Sequence, residues 1–269
     1  MKILIVIPAR HASTRFPGKP LHEIGGVSML TRTARVAQRA GQAANARVVV
    51  ATDDQRIFDH ARAGGVDAVM TDSNLPSGTD RALAAMHLVE PHADFVVNLQ
   101  GDAPLTPVNH VTALIAHANM GDVVTPVVRL SWQALDDLRE RKKATPFSGT
   151  SCIRGADGRA IWFSKSIQPA IRNEEKLRGQ QEYSPVLQHI GLYGYSRKAL
   201  ERIAKLPLSH YEELEGLEQL RFLENGLSVY AVDVEPSPLP MSGVDTPEDA
   251  AHVEAMLAKH GDPHYTHFV

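Results

Sequence analysis

Short apolar runs alternate with amphipathic stretches along the first half of the chain. The apolar runs predict buried strands at 2–7, 47–51, 67–70, 94–99 and 122–128. Helical spacing of the apolar positions predicts helices at 29–40, 54–63, 79–89 and 107–119, the first of them capped by Ser28. Strands that alternate with helices favour an α/β fold with a Rossmann-like, mostly parallel, doubly wound sheet.

The pattern loosens after residue 126 and predicts a smaller α+β lobe. The predicted elements are a polar helix at 131–143, a hairpin at 151–163, a charged loop or surface helix at 171–183, strands at 188–195 and 227–234, and helices at 214–223 and 247–259. The expected division is a core at 1–130, a lobe at 131–235 and a C-terminal segment at 236–269 that returns to the core. The last nine residues carry no clear element.

Composition excludes several classes of protein. The 269 residues include 28 Lys and Arg against 31 Asp and Glu, a net charge of −3 that gives no global reason to bind nucleic acid or an anionic membrane. The single cysteine, Cys152, rules out an intrachain disulfide and a Cys-rich zinc site. The apolar start is short, and no run approaches the ~18 apolar residues of a membrane span. We therefore expect a cytoplasmic protein with neither nucleic acid nor membrane as a partner.

A basic loop follows the first predicted strand. Arg10, Arg15 and Lys19 lie within ten residues, and Gly18 allows close backbone approach. Ligands of open parallel sheets bind beyond the carboxyl ends of the strands, and three cations on a proline-stiffened loop suit a polyphosphate. Neither the Walker nor the dinucleotide glycine pattern is present. From these residues alone, a solvated basic loop is an equally good interpretation.

The loop also resembles the opening motif of the sugar-acid cytidylyltransferases, most closely the CMP-KDO synthetase (3-deoxy-manno-octulosonate cytidylyltransferase) family. The resemblance extends over nearly the whole chain, in the segments 50–54, 77–81, 98–102, 189–195, 217–221 and 243–249. It implies a Mg²⁺-dependent cytoplasmic enzyme of lipopolysaccharide biosynthesis that forms a CMP-sugar from CTP and a 3-deoxy-ulosonic acid, with release of pyrophosphate. It also implies a homodimer, with the lobe contributing to dimerisation and sugar binding.

The resemblance assigns residues on the nucleotide side of the site. It implies catalytic roles for Arg10, Arg15, Lys19 and Asp102, nucleotide contacts from Ala9, Arg10, Ser13, Lys19, Ser77, Gly78, Thr79 and Gln100, and Mg²⁺ binding by Asp102 and Asp245. The residues by themselves leave simpler interpretations open, since Asp102 could form a turn, Asp245 could flank a helix cap, and Ser77 or Thr79 could cap a helix. If both aspartates bind one ion, the last helix must pack back near the first sheet.

The resemblance assigns the sugar contacts to Lys165, His189, Tyr193, Glu218 and Gln219. The family usually has cations where Gln188 and Ser151 stand, Arg in place of Lys165, His in place of Leu75, and Glu in place of Ala103. Arg172, Lys176 or Arg178 could compensate for a missing cation. The expected acceptor is therefore KDO or an 8-amino variant. The alternatives are a synthetase for another nonulosonic or octulosonic acid and a non-catalytic CTP-binding regulator.

Overall fold

A computed structural model describes residues 1–12, 15–237, 239 and 243–262. The strands are β1 (Ile3–Ala9), β2 (Glu23–Ile24), β3 (Val27–Ser28), β4 (Arg47–Thr52), β5 (Asp67–Met70), β6 (Phe95–Asn98), β7 (Val123–Ser131), β8 (Thr150–Arg154), β9 (Ala160–Ser164), β10 (Tyr183–His189), β11 (Tyr193–Ser196) and β12 (Val229–Asp233). The α-helices are α1 (Met29–Ala44), α2 (Gln55–Ala63), α3 (Gly78–Val89), α4 (Val108–Ala116), α5 (Trp132–Ala144), α6 (Glu174–Arg178), α7 (Arg197–Ile203), α8 (His210–Glu215), α9 (Glu218–Glu224) and α10 (Pro247–His260). A 3₁₀ turn spans Lys19–Leu21.

Within the described residues, a mixed sheet of ten strands organises the molecule. Its order is β5-β4-β1-β6-β11-β7-β10-β8-β9, and β12 pairs with β7. The first four strands of this order are parallel, which confirms the α/β pattern predicted for the first half of the chain. Strands β11, β10, β8 and β9 join antiparallel, whereas β12 is parallel to β7. The parallel part therefore has one carboxyl edge, where β1, β4 and β6 all end.

Two hydrophobic cores lie on opposite faces of this sheet. Along β1 the side chains alternate, so that Ile3, Ile5 and Ile7 pack with α1, α2 and α4. Leu4 and Val6 point to the other face and pack with α3, α7 and α9. Helices on both faces make the fold doubly wound, as predicted. Within the described residues, none of the helices is long and apolar enough to cross a membrane.

Two elements predicted in the second half as continuous are interrupted. The strand predicted at 188–195 is wrong as a single element, because residues 190–192 leave the ladder between β10 and β11. The side chain of Thr125 donates to the freed carbonyl of Leu192 at 2.9 Å, which compensates for the lost backbone pairing. The helix predicted at 214–223 is also broken, since Gly216 ends α8 in a left-handed conformation with φ of 63°. The break places Glu218 at the start of α9.

The last helix returns to the first loop, as the sequence required if two distant aspartates were to meet. Helix α10 buries Val253 and Leu257 in a third apolar cluster that includes Phe16 from the first loop and Ile24 from β2. This cluster fixes the chain on both sides of the carboxyl edge.

Candidate active site

A tight turn orients the basic loop over the carboxyl edge of the sheet. Gly18 has a φ of 71°, and its N–H donates to the carbonyl of His11 at 3.0 Å. A side chain at Gly18 would be strained by this φ, because left-handed backbone favours glycine. The 3₁₀ turn follows directly and leaves the Lys19 side chain only 13% exposed, whereas Arg15 is 65% exposed.

Lys19 lies between the two aspartates to which the family resemblance assigned a metal. Its Nζ donates to Asp102 Oδ2 at 2.9 Å and to Asp245 Oδ1 at 3.1 Å. Arg15 approaches the other oxygen of Asp245 at 3.3 Å. The structure therefore brings Asp102 and Asp245 to one place, together with two of the three cations predicted to bind phosphates.

Glycine at 101 allows the loop after β6 to reach this place. A Cβ at Gly101 would stand 2.6 Å from the carbonyl oxygen of Pro8, at the end of β1, so a larger residue would push the two loops apart. The carbonyl of Asp102 in turn accepts a hydrogen bond from the N–H of Val244 at 2.9 Å. Asp102 is thus fixed by backbone contacts to both segments.

The approach of Asp245 depends on the capping box of α10. Thr246 accepts from the N–H of Asp249, and the Asp249 carboxylate accepts from the N–H groups of Thr246 at 2.9 Å and Asp245 at 3.0 Å. These bonds satisfy the first turn of the helix without using the Asp245 side chain. The Asp245 carboxylate is therefore left for Lys19 and Arg15.

A cleft of about 370 Å³, here called the nucleotide cleft, opens beside these charges. Of the residues predicted for the nucleotide and the metal, those lining it are Ala9, Arg10, Arg15, Lys19, Gly78, Gln100, Asp102 and Asp245. The backbone of Gly78 borders the cleft beside Gln100, and a Cβ on it would make ordinary van der Waals contact with Gln100 Oε1 at 3.6 Å. The cleft combines open space with three loop cations and two carboxylates.

The remaining residues predicted for the nucleotide lie elsewhere. Ser77 caps α3 by accepting from the N–H of Asp80 at 3.1 Å, which is the simpler interpretation left open by the sequence. Thr79 is buried, and its hydroxyl donates to Glu218 Oε2 at 2.9 Å, so that it faces the predicted sugar side. Ser13 falls outside the described residues.

A buried ion pair behind the nucleotide cleft was not predicted. Arg81 lines the cleft, is 1% exposed, and donates to Asp53 Oδ2 at 2.9 Å. Both residues lie in segments on which the family resemblance rests, but no role followed from local sequence. The signal that could have identified them is topological, since Asp53 follows β4 and Arg81 sits in the first turns of the neighbouring α3.

A second and larger space, here called the acceptor pocket, adjoins the nucleotide cleft. It measures about 930 Å³ and shares Gln100 and Asp102 with the cleft. All the residues predicted for the sugar line it, namely Lys165, His189, Tyr193, Glu218 and Gln219. The break after β10 lies between His189 and Tyr193, the break before α9 precedes Glu218 and Gln219, and Lys165 directly follows β9.

His189 is a neutral hydrogen-bonding group in this pocket. Burial lowers its pKa to about 3, and the positive charge of Lys165 acts in the same direction. We assign the single hydrogen of the Thr125 hydroxyl to the carbonyl of Leu192 at 2.9 Å, and with that assignment His189 Nε2, which lies 2.8 Å from Thr125 Oγ1, carries the proton. We therefore assign Nδ1 as a hydrogen-bond acceptor.

Glu218, Tyr193 and Gln219 form a polar wall. Burial raises the pKa of Glu218, while donors from Thr79 and Arg221 oppose that change. Burial also raises the pKa of Tyr193 well above its usual value, so its hydroxyl stays protonated and donates to Gln219 Oε1 at 2.8 Å. Among the described residues, Gln219 Nε2 is buried with no hydrogen-bond partner. It is a donor without an acceptor beside an open pocket.

The charged segment at 171–183 does not bring Arg178 to the acceptor pocket. Arg178 pairs with Asp136 and Glu174 and lies 4.7 Å above the ring of Trp132. Arg139 and then Arg178 lower the pKa of Glu174 to about 2. This network attaches α6 to α5. The pocket instead has Arg141 of α5 in its lining, a residue that was not predicted from the sequence.

A cationic loop and paired carboxylates at the carboxyl edge of a parallel sheet are features of a nucleotidyltransferase. A family model described as cytidylyltransferase matches residues 4–231, and the chain belongs to the cytidylyltransferase family. It is 42% identical to the 3-deoxy-manno-octulosonate cytidylyltransferase of Maricaulis maris (strain MCS10), over 97% of this chain and 99% of that protein. The protein of the same name from Acidobacterium capsulatum is 38% identical, over 96% and 97% of the two chains.

A solved structure agrees with these relatives. The chain matches the CMP:2-keto-3-deoxy-manno-octonic acid synthetase complexed with CTP at a TM-score of 0.81 and 36% identity, over 96% of this chain and 99% of that one. The family resemblance recognised in the sequence is confirmed, as is the α/β fold class.

Proposed function

We propose that this protein transfers the CMP group of CTP to a 3-deoxy-ulosonic acid, KDO or its 8-amino derivative, and releases pyrophosphate. The observation that carries the proposal is the junction of the two spaces. The nucleotide cleft and the acceptor pocket share Gln100 and Asp102. A nucleotide in the first and a sugar in the second would therefore meet beside Asp102.

The cations of the first loop would bind the triphosphate. Arg10, Arg15 and Lys19 line the nucleotide cleft, whereas the charge of the buried Arg81 in its wall is balanced by Asp53. Attack on the α-phosphorus transfers negative charge to the leaving pyrophosphate. Cations already positioned there would stabilise that charge without rearrangement, which is the main means of catalysis in phosphoryl and nucleotidyl transfer.

Asp102 and Asp245 have the chemistry of a Mg²⁺ site. The described residues contain no group of three or more His, Cys, Asp or Glu side chains that could enclose a metal alone. Mg²⁺ usually takes one or two carboxylates and completes its shell with water and substrate phosphates, so this donor set fits. When bound, the ion would neutralise phosphate charge and lower the pKa of the attacking hydroxyl. Lys19 would then have to release both carboxylates and turn to the triphosphate.

The polar wall of the acceptor pocket would orient the sugar. Gln219 Nε2 offers a donor, and His189 Nδ1 offers an acceptor. The other end of each side chain is fixed by a hydrogen bond. Gln219 Oε1 accepts from the Tyr193 hydroxyl, and His189 Nε2 bonds to Thr125 Oγ1. Fixed partners of this kind place the anomeric hydroxyl at low entropic cost, and the reaction then depends on position more than on covalent chemistry.

The test is pyrophosphate release from CTP and Mg²⁺ with a panel of sugar acids that includes KDO, 8-amino-KDO and N-acetylneuraminic acid. We expect the highest kcat/KM with one of the two octulosonates, and a kcat lower by about 10²-fold with that acid in Asp102→Asn. CTP binding without release for any acid would overturn the proposed function. If kcat/KM is highest with N-acetylneuraminic acid, the proposed acceptor is wrong and the nucleotidyl transfer itself stands.

We also propose that the protein is a homodimer that works in the cytoplasm, where CTP is available. The support for the dimer is the number of large apolar side chains that the lobe leaves exposed, since exposed apolar surface is typical of protein interfaces. Within the lobe, the large hydrophobic side chains that remain exposed are Phe147, Ile161, Tyr183, Leu208, Tyr211 and Leu214. Sedimentation equilibrium tests this state, and a monomer at micromolar concentration would contradict it.

A further inference from the structure

The acceptor pocket contains two positive side chains that form no ion pair with the described residues. Within the described part of the chain, Arg141 and Lys165 are the cationic side chains in its lining, apart from the neutral His189. Among the described residues, neither the guanidinium of Arg141 nor the ammonium of Lys165 has a hydrogen-bond or ion-pair partner. Burial lowers the pKa of Lys165, and the charge of Glu215 opposes that change.

Lys142, which lies next to Arg141, explains how a helix delivers a cation to this pocket. Its ammonium donates to the carbonyl of Lys165 at 2.6 Å, to that of Pro146 at 3.0 Å, and to that of Ser148. These bonds tie the end of α5 to the residue after β9. Arg141 is thereby held in the wall that contains Lys165. The lowered pKa of Lys142, caused by burial and then by the charges of Lys165 and Arg141, agrees with a compact cluster of cations.

The charges of the pocket are separated. Its acids are Asp102, at the junction with the nucleotide cleft, and Glu218, on the polar wall. Two positions on the strands of the lobe, 188 and 151, carry neutral side chains. Gln188 is a neutral side chain in the lining, and the Ser151 hydroxyl is consumed by the carbonyls of Ser164 and Ser166. An anion in this pocket would thus be drawn to Arg141 and Lys165 and repelled by the acids.

We propose that Arg141 and Lys165 together bind the carboxylate of the acceptor sugar, and that Arg141 determines the preference for anionic acceptors. The inference rests on the proposed function above. A guanidinium presents two parallel N–H donors that match the two oxygens of a carboxylate, and the Lys165 ammonium adds a point charge. Arg141 and Lys165 would thereby set the orientation of the acceptor, because its carboxylate is bonded to the carbon that carries the reacting hydroxyl.

The experiment compares wild type with Arg141→Ala, Arg141→Lys and a matched control, Lys143→Ala. Lys143 is exposed on the same helix and pairs only with Glu140 in the described part of the chain. Pyrophosphate release would give KM and kcat for KDO and for CTP. The inhibition constant of the KDO methyl ester, which lacks the negative charge, would be measured for each variant.

We expect Arg141→Ala to raise KM for KDO by about tenfold or more while KM for CTP changes by less than about twofold, with Arg141→Lys between. The ratio of the inhibition constant of the ester to KM for KDO should be smaller in Arg141→Ala than in wild type. Lys143→Ala should match wild type in both constants. If wild type is active and KM for KDO is unchanged in Arg141→Ala, the proposed carboxylate site is wrong but the proposed function stands. The same holds if the ratio of the ester's inhibition constant to KM for KDO does not fall. A wild type that releases no pyrophosphate with KDO would overturn the proposed function, and the proposed carboxylate site with it.

Discussion

Asp102 and Asp245 share a single ammonium group. The Nζ of Lys19 lies 2.9 Å from one carboxylate and 3.1 Å from the other. A cation between two carboxylates relieves their mutual repulsion, and it stands where a divalent ion would bind both. Metal binding and the position of Lys19 are therefore linked, because the two positive groups compete for the same oxygens.

Replacing Lys19 by Met should affect metal binding and turnover in opposite directions. Without the ammonium, the nucleotide-free protein should bind Mn²⁺ at least about tenfold more tightly, since the carboxylates lose their internal cation. Turnover should fall by about 10²-fold, because the leaving pyrophosphate loses a stabilising charge. Electron paramagnetic resonance counts free Mn²⁺, and Lys2→Met, far from the cleft, is the control. Equal Mn²⁺ affinity in wild type and Lys19→Met would contradict the competition.

Neutralising either aspartate should remove the metal but leave the fold intact. In Asp102→Asn and Asp245→Asn we expect Mn²⁺ binding in the presence of CTP to weaken by about tenfold or more, and kcat to drop by about 10²-fold. Both side chains are partly exposed, so the thermal unfolding midpoint should change little. Calorimetric titration of Mn²⁺ checks the first expectation. A folded Asp102→Asn with turnover near wild type would remove Asp102 from the metal site.

Thr79 should serve the acceptor rather than the nucleotide. Its hydroxyl donates to Glu218 at 2.9 Å, so Thr79→Val removes a donor from a buried carboxyl without changing the side-chain shape. We expect KM for the sugar acid to rise by about tenfold while KM for CTP stays within about twofold. Thr79→Ser keeps the hydroxyl and should behave like wild type. A rise in KM for CTP alone would return Thr79 to the nucleotide site that the family resemblance implied.

Stability should depend on pH through His189. Its pKa is lowered to about 3 in the folded protein, so between pH 6.5 and 3 the unfolded state binds the extra proton. The contribution of neutral His189 is complete above pH 6.5 and is lost as the pH falls, by up to about 1.4 kcal/mol per pH unit. Urea unfolding from pH 7 to pH 4.5 should give a shallower dependence for His189→Gln than for wild type. The exposed His92→Gln is the control, and parallel curves for all three proteins would contradict the expectation.

The local pattern of the chain determined the parallel half of the fold. Buried strands such as β1 and β6 are short apolar runs, and the helices between them carry their own caps, as Ser28 and Ser77 show. The capping box of α10 was equally readable, because Thr246 and Asp249 are only three residues apart. Such features depend on neighbours within one or two turns, and the sequence displays those neighbours directly.

The second half was less readable, because packing overrode local pattern. The apolar run through β10 and β11 predicts one strand, yet residues 190–192 leave the ladder and the carbonyl of Leu192 accepts from the buried Thr125 hydroxyl. The charged segment predicted at 171–183 contains the short surface helix α6, and only the structure shows that Arg178 joins this helix to α5. Both outcomes depend on side chains that are distant in sequence.

The sequence by itself determined which chemical groups the site has: loop cations, two aspartates, and polar residues for a sugar. Only the tertiary structure decided which of them meet. It placed Lys19 between Asp102 and Asp245, turned Thr79 toward Glu218, and brought Arg141 beside the acceptor pocket. The physical reason is that charges interact over a few ångströms, whereas the chain separates these residues by tens to hundreds of positions, so their meeting depends on the packing of α10, α3 and α5 around the sheet.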